Sequence, residues 1–183
     1  MRNMKKLLLT MIIIIAVPVL AACGNGPDTD NSAIDANPAS PDENINPVPS
    51  VFSFKMGDVL IEMDEDISRV IAGLGEPLSV LEQESCAFDG IDRIFSYPGI
   101  QIYTYPKGDS DHIHTIGFFD DSIVTTEGKI RLGSNIQEVF DVYGNDYTYD
   151  SGMYTFTRGK TVLEFLVSDD IIISINYRYI LDL

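Results

Sequence analysis

The 183-residue sequence predicts an α+β fold made of two tandem repeats, each a helix followed by an antiparallel meander. Three observations point there. Ile67, Val70, Ile71, Leu74 and Gly75 overlie Ile136, Val139, Phe140, Tyr143 and Gly144 at a 69-residue offset. Both sets run i, i+3, i+4, i+7 and then glycine, which is one apolar helix face closed by a residue able to take the left-handed conformation. Downstream of each set the apolar spacing drops to two, the period of a strand with one buried face.

Taken in chain order, residues 1–22 come first. Arg2, Lys5 and Lys6 form a basic start, residues 7–19 an apolar run, and Leu20-Ala21-Ala22 leads to Cys23. That order of basic, apolar and small residues is a secretory signal. Ending in cysteine, it resembles the bacterial lipoprotein signal, which implies diacylglyceryl attachment to the Cys23 thiol and cleavage after Ala22. The apolar run is shorter than the roughly 20 residues that cross a bilayer, and Pro18 interrupts its end. Two acyl chains hold a protein stably where one holds it marginally. The expected location is therefore the extracytoplasmic face of a cell membrane, with the lipid anchor as the membrane contact.

Residues 23–50 hold the lipidated cysteine and an acidic, proline-rich linker. From Gly24 to Ser50 there are five of the nine prolines, five acids and no basic residue. Too little apolar surface is available there to fold, so the segment reads as a disordered stalk. Residues 51–126 and 127–183 are the two expected repeats. Short entering strands are predicted at 59–63 and 128–132. Asp64 is the expected cap of the first helix, and Ser134 with Gln137 a capping box for the second. Strands are predicted at 93–97, 100–105 and 112–119, then at 153–156, 161–167 and 171–179, with turns at Pro98-Gly99, Arg158-Gly159 and Ser168-Asp169-Asp170. Alternation puts Ile171, Ile173 and Ile175 on a buried stripe, matched by His112, His114 and Ile116.

Leu74-Gly75-Glu76-Pro77, Ser85-Cys86-Ala87-Phe88 and Tyr143-Gly144 carry a resemblance to the β-lactamase inhibitor proteins, and more distantly to the small lipoprotein of the outer-membrane barrel-assembly machine. It covers about residues 54–180. The resemblance implies one curved sheet with helices on one face, a concave surface that binds protein, and a β-lactamase-inhibitor-like activity as one possible role.

Charge narrows the partners. The chain carries 12 basic and 28 acidic residues, a formal charge of −16. Loss of residues 1–22 removes three basic groups and no acidic one, leaving −19. Such a field repels phosphate backbones, which makes nucleic acid a poor partner and leaves basic proteins and cations open. With Cys23 acylated, only Cys86 remains, so no internal disulfide forms; Cys86 is expected to be a small buried hydrophobe.

Chemistry-bearing patterns are few. No G-x-S-x-G occurs, and Gly73-Leu74-Gly75 is a helix stop, not a phosphate loop. Asp120-Asp121 and Asp169-Asp170 fall at turns, where Asp is favoured. Asp64-Glu65-Asp66 lacks the spacing of a calcium loop. His112 and His114, two apart on a strand, could share a side as a metal pair, with Asp109 and Asp111 adding oxygens; this is the alternative reading, a metal-dependent site or enzyme. The leading reading assigns no catalytic residue, metal or cofactor. It is a non-catalytic lipoprotein binding a protein or other envelope ligand through its sheet, with Tyr97, Tyr103 and Tyr105 as the binding residues, because tyrosine gives large contact area at little entropic loss.

Overall fold

The computed structural model describes residues 48–182. The signal segment, the lipidation residue Cys23 and most of the predicted stalk lie outside the described residues. Ten strands and two helices follow one another as β1 (Ser53–Met56), β2 (Val59–Glu62), α1 (Ile67–Leu74), β3 (Ser79–Glu84), β4 (Ile91–Tyr97), β5 (Ile100–Lys107), β6 (Ser110–Phe118), α2 (Ile136–Tyr143), β7 (Thr148–Asp150), β8 (Met153–Arg158), β9 (Thr161–Ser168) and β10 (Ile171–Tyr179). β1 and β2 form a hairpin of their own. The other eight make one antiparallel sheet in the order β3-β4-β5-β6-β10-β9-β8-β7.

This corrects the predicted fold class. The molecule is mainly β: each helix spans eight residues, about two turns, while strands missing from the sequence reading, β1, β3 and β7, extend the β structure. A pair of helix-plus-meander repeats with the helices as a layer on one face is not what forms; a single wide antiparallel sheet dominates. Residues 128–132, expected as an entering strand, are turn and loop.

The helices start and stop by local chemistry. Asp66 caps α1, its Oδ1 accepting from the Ser68 N–H at 2.8 Å. Asn135 caps α2, accepting from the Gln137 N–H at 2.9 Å while Glu138 Oε1 accepts from the Asn135 N–H at 3.0 Å. The caps are therefore Asp66 and the Asn135–Glu138 box, not Asp64 and Ser134–Gln137: the true capping side chain is the one immediately before the first buried isoleucine. Gly75 and Gly144, at φ 85° and 78°, close the two helices with N–H bonds of 2.9 Å to Ile71 and Phe140.

Register sorts the side chains into two faces. Val80, Phe95, Ile102, Ile116, Tyr177, Leu163 and Phe156 stand in one row across seven strands. All but the edge residue Val80 are buried, in one core with Phe54 and Ile61 of the hairpin and Ile67, Val70, Ile136 and Val139 of the helices. Ile61, Val70, Val139 and Leu163 are fully enclosed. Two bulges displace the predicted stripe. Pairing skips His114 on β6 and Ile173 on β10, so each is the extra residue of a bulge. A bulge shifts the in-out phase by one residue. Ile172 and Ile175 are consequently buried, whereas Ile171 is 40% and Ile173 54% exposed.

Candidate binding face and aromatic cleft

The opposite side of the sheet is a second set of rows. Ser79, Ser96, Gln101, Gly117, Asn176, Glu164, Thr155 and Thr148 are in register across all eight strands. Beside them run Leu81, Ile94, Tyr103, Thr115, Arg178, Val162 and Thr157. Neither helix and neither hairpin strand contributes to these rows. Most of their side chains are half-buried or exposed. Gly117 matters here because a Cβ would lie 3.3 Å from the Phe119 ring. Its absence lets that ring, 62% exposed, lie over the junction of β6 and β10.

At the β3–β6 end of this face the 85–90 loop folds over the strands. Ser85 Oγ accepts from the N–H groups of Ala87 at 3.4 Å and Phe88 at 3.2 Å, and the Ser85 N–H donates to the Gly90 carbonyl at 3.0 Å. These bonds turn Phe88 inward, where its ring centroid lies 5.0 Å from that of Tyr105. Tyr105 in turn meets His114 edge-on at 6.3 Å. The result is a cleft of about 200 Å³ walled by Phe88, Asp92, Ile94, Tyr103, Tyr105 and His114. Burial, then the nearby Arg178 cation, pulls the His114 pKa down, so the ring is neutral at pH 7. One wall atom stands out: Asp92 Oδ1 is enclosed and has no hydrogen-bond partner among the described residues.

Of the three predicted binding tyrosines, Tyr103 and Tyr105 both wall the cleft, whereas Tyr97 does not. Tyr97 is buried on the core face, its hydroxyl donating to the Gly75 carbonyl at 3.0 Å, so it ties β4 to the end of α1. Burial raises its pKa. Tyr103 is half-buried on the open face, and its hydroxyl donates to Gln101 Oε1 at 2.9 Å. Tyr105 is 7% exposed, with its ring in the cleft and its hydroxyl donating to Asp64 Oδ1 at 2.5 Å. Burial, reinforced by that carboxylate, raises the Tyr105 pKa strongly. For Asp64 burial pushes the pKa up, but the hydrogen bonds from Lys107 (2.8 Å) and Tyr105 outweigh it and the net shift is downward.

The two histidines are engaged separately. His112 Nδ1 donates to the Asp64 carbonyl at 2.7 Å, which fixes the proton on that nitrogen. His114 Nδ1 lies 3.1 Å from the Thr115 hydroxyl. Asp111 is taken up by Arg93 at 2.5 Å. Among the described residues no three His, Cys, Asp or Glu side chains assemble as a metal-ligand group. Cys86 is exposed in the 85–90 loop, a correction to its expected burial: in this loop it is Phe88, two residues on, that packs against Tyr105. Asp120 accepts from the Ser122 N–H at 2.7 Å, and Asp169 and Asp170 have positive φ, so both acidic pairs sit in turns as expected.

Asp92, Ile94 and Phe88 escaped the sequence reading. Alternation of Asp92, Ile94 and Ser96 against Arg93, Phe95 and Tyr97 was the available signal for the first two. Phe88 carried none, because a loop aromatic has no period. Comparisons with protein-family models, with curated proteins and with solved structures found no match for this chain, so its chemistry is read from its own residues.

Proposed function

We propose that the chain is a non-catalytic, extracytoplasmic lipoprotein, anchored through diacylglycerol on Cys23, whose open sheet face binds a basic protein partner. The observation that carries the reading is the division of the sheet: one face packs the core of the hairpin and helices, and the other carries neither, only the 85–90 loop at its β3–β6 end, with Leu81 (60% exposed) and Phe119 (62% exposed) on it. Large apolar groups flanked by polar ones on an uncovered face suit an interface. The net charge of −16 favours a positively charged partner. No helix among the described residues is long and apolar enough to cross a membrane; the anchor rests on the basic, apolar and small-residue order of residues 1–22 ahead of Cys23.

Two experiments test this. In cells, the wild-type chain fractionates with membranes and metabolically incorporates labelled fatty acid, and Cys23→Ser moves it to the soluble extracytoplasmic fraction; unchanged fractionation and no label would refute the anchor. For the binding face, full-length chain in a non-ionic detergent is used as bait against envelope extract. Capture of one identified protein, weakened by salt and by a Tyr103→Ser, Phe119→Ser double variant, is the expected result. Capture that is indifferent to both would remove the face from the account.

A further inference from the structure

From the cleft at the β3–β6 end of the open face we infer a binding site for an alkylammonium group. The inference extends the binding role proposed for that face by naming a chemistry it recognises. Three features converge. The first is shape: a half-open space of about 200 Å³ suits a small head group such as a methylated ammonium or the end of a lysine side chain. The second is its wall. Phe88, Tyr103 and Tyr105 offer aromatic surface, and a ring's negative face attracts an organic cation while its apolar area accommodates the alkyl substituents.

The third feature is charge. Arg93, which also lines the cleft, lies between Glu82 at 2.7 Å and Asp111 at 2.5 Å, and Arg178 is held by Glu164 at 2.5 Å. Both arginines are thus matched by carboxylates. Asp92 is left over, with Oδ1 enclosed and unpartnered among the described residues. A buried acceptor without a donor is costly unless something compensates it. A cation in the cleft that Asp92 lines supplies that compensation. His114, neutral at pH 7, adds no opposing charge.

The ammonium could belong to a free small molecule or to a lysine of a protein partner. Full-length chain in non-ionic detergent is titrated calorimetrically with tetramethylammonium chloride and, separately, with Nα-acetyl-lysine amide, using sodium chloride at equal ionic strength as the blank. Saturable binding of tetramethylammonium points to a small methylated cation, and saturable binding of the lysine amide alone points to a protein side chain; either supports the site. Asp92→Asn, which keeps shape and removes charge, weakens binding by at least about tenfold. Phe88→Leu, in a loop outside the core, weakens it by a further independent step, and circular dichroism verifies that both variants are folded. Heat effects indistinguishable from the sodium chloride blank, or binding unaltered by Asp92→Asn, would overturn the site. Because the titrants are small cations, a failed titration leaves protein capture by the wider face intact, and failed capture leaves the titration result intact.

Discussion

Asp64 holds a backbone conformation, φ 66°, that glycine usually supplies, and in the matching place before α2 glycine does supply it, at Gly133 with φ 84°. The surrounding bonds correspond. The Asp64 N–H donates to Ile113 O and the Ile113 N–H to Glu65 O; the Gly133 N–H donates to Ile172 O and the Ile172 N–H to Ser134 O. Aspartate tolerates the left-handed region better than most residues, and here its side chain also collects Tyr105, Lys107 and His112. Replacement by alanine keeps the strain and loses the bonds, a destabilisation of about 2–3 kcal/mol in urea unfolding at pH 7. Asp64→Gly relieves the strain and costs less. The sign with pH follows from the lowered folded pKa. Asp64 contributes stability above its unfolded value near about 4, and that contribution fades as pH falls through the folded value. Asp64→Asn accordingly flattens the loss of stability measured between pH 5 and 2.5; an unaltered acid limb would contradict the assignment.

The bulges at His114 and Ile173 decide which isoleucines fill the core. Ile172→Ala removes a fully enclosed side chain and costs about 2–5 kcal/mol. Ile173→Ala, at 54% exposure, stays within about 0.5 kcal/mol of wild type. Chemical denaturation of the two variants side by side checks this, and the uninterrupted alternation expected from sequence forecasts the reverse order. How far the elements could be read beforehand depended on whether burial left a period. The faces and glycine stops of α1 and α2 were legible, as were six strands of the sheet, because each has one side in the core. β3 was not: all six of its residues are exposed, so Ser-Val-Leu-Glu-Gln-Glu shows no alternation. β7, three exposed residues, is too short to carry a pattern. Bulges add a residue without altering composition and leave no trace in spacing. The splitting of the tyrosines, by contrast, was available. A two-residue turn at Pro98-Gly99 pairs Tyr97 with Ile100 and therefore Ile94 with Tyr103, three positions from Tyr97, which puts Tyr97 and Tyr103 on opposite faces.

On the scale of the whole molecule, the sheet is continuous only because β10 pairs with β6 through Asn176, Tyr177 and Arg178 against Gly117, Ile116 and Thr115. Tyr177 is central to that seam. It is buried, its ring lies 5.7 Å from Phe54 and 6.1 Å from Phe118, and its hydroxyl accepts from the Thr126 N–H at 3.2 Å. A core that draws on both sides of the seam should melt as one unit. Far-ultraviolet dichroism and tyrosine fluorescence are expected to give coincident urea transitions, and Tyr177→Ala is expected to lower both midpoints together by about 3–5 kcal/mol of stability. Two separated transitions would show that the strands flanking the seam melt apart. The chain order of the strands also has a temporal side. β10 is the tenth strand to be made yet lies inside the sheet, between partners completed earlier. While the polypeptide is being synthesised, β6 and β9 each wait with one bare rim, and the two ribbons close only when residues 171–179 arrive. Folding is thereby tied to delivery of nearly the whole described chain, and a product broken off before that point would keep its sticky margins open to chaperones and proteases.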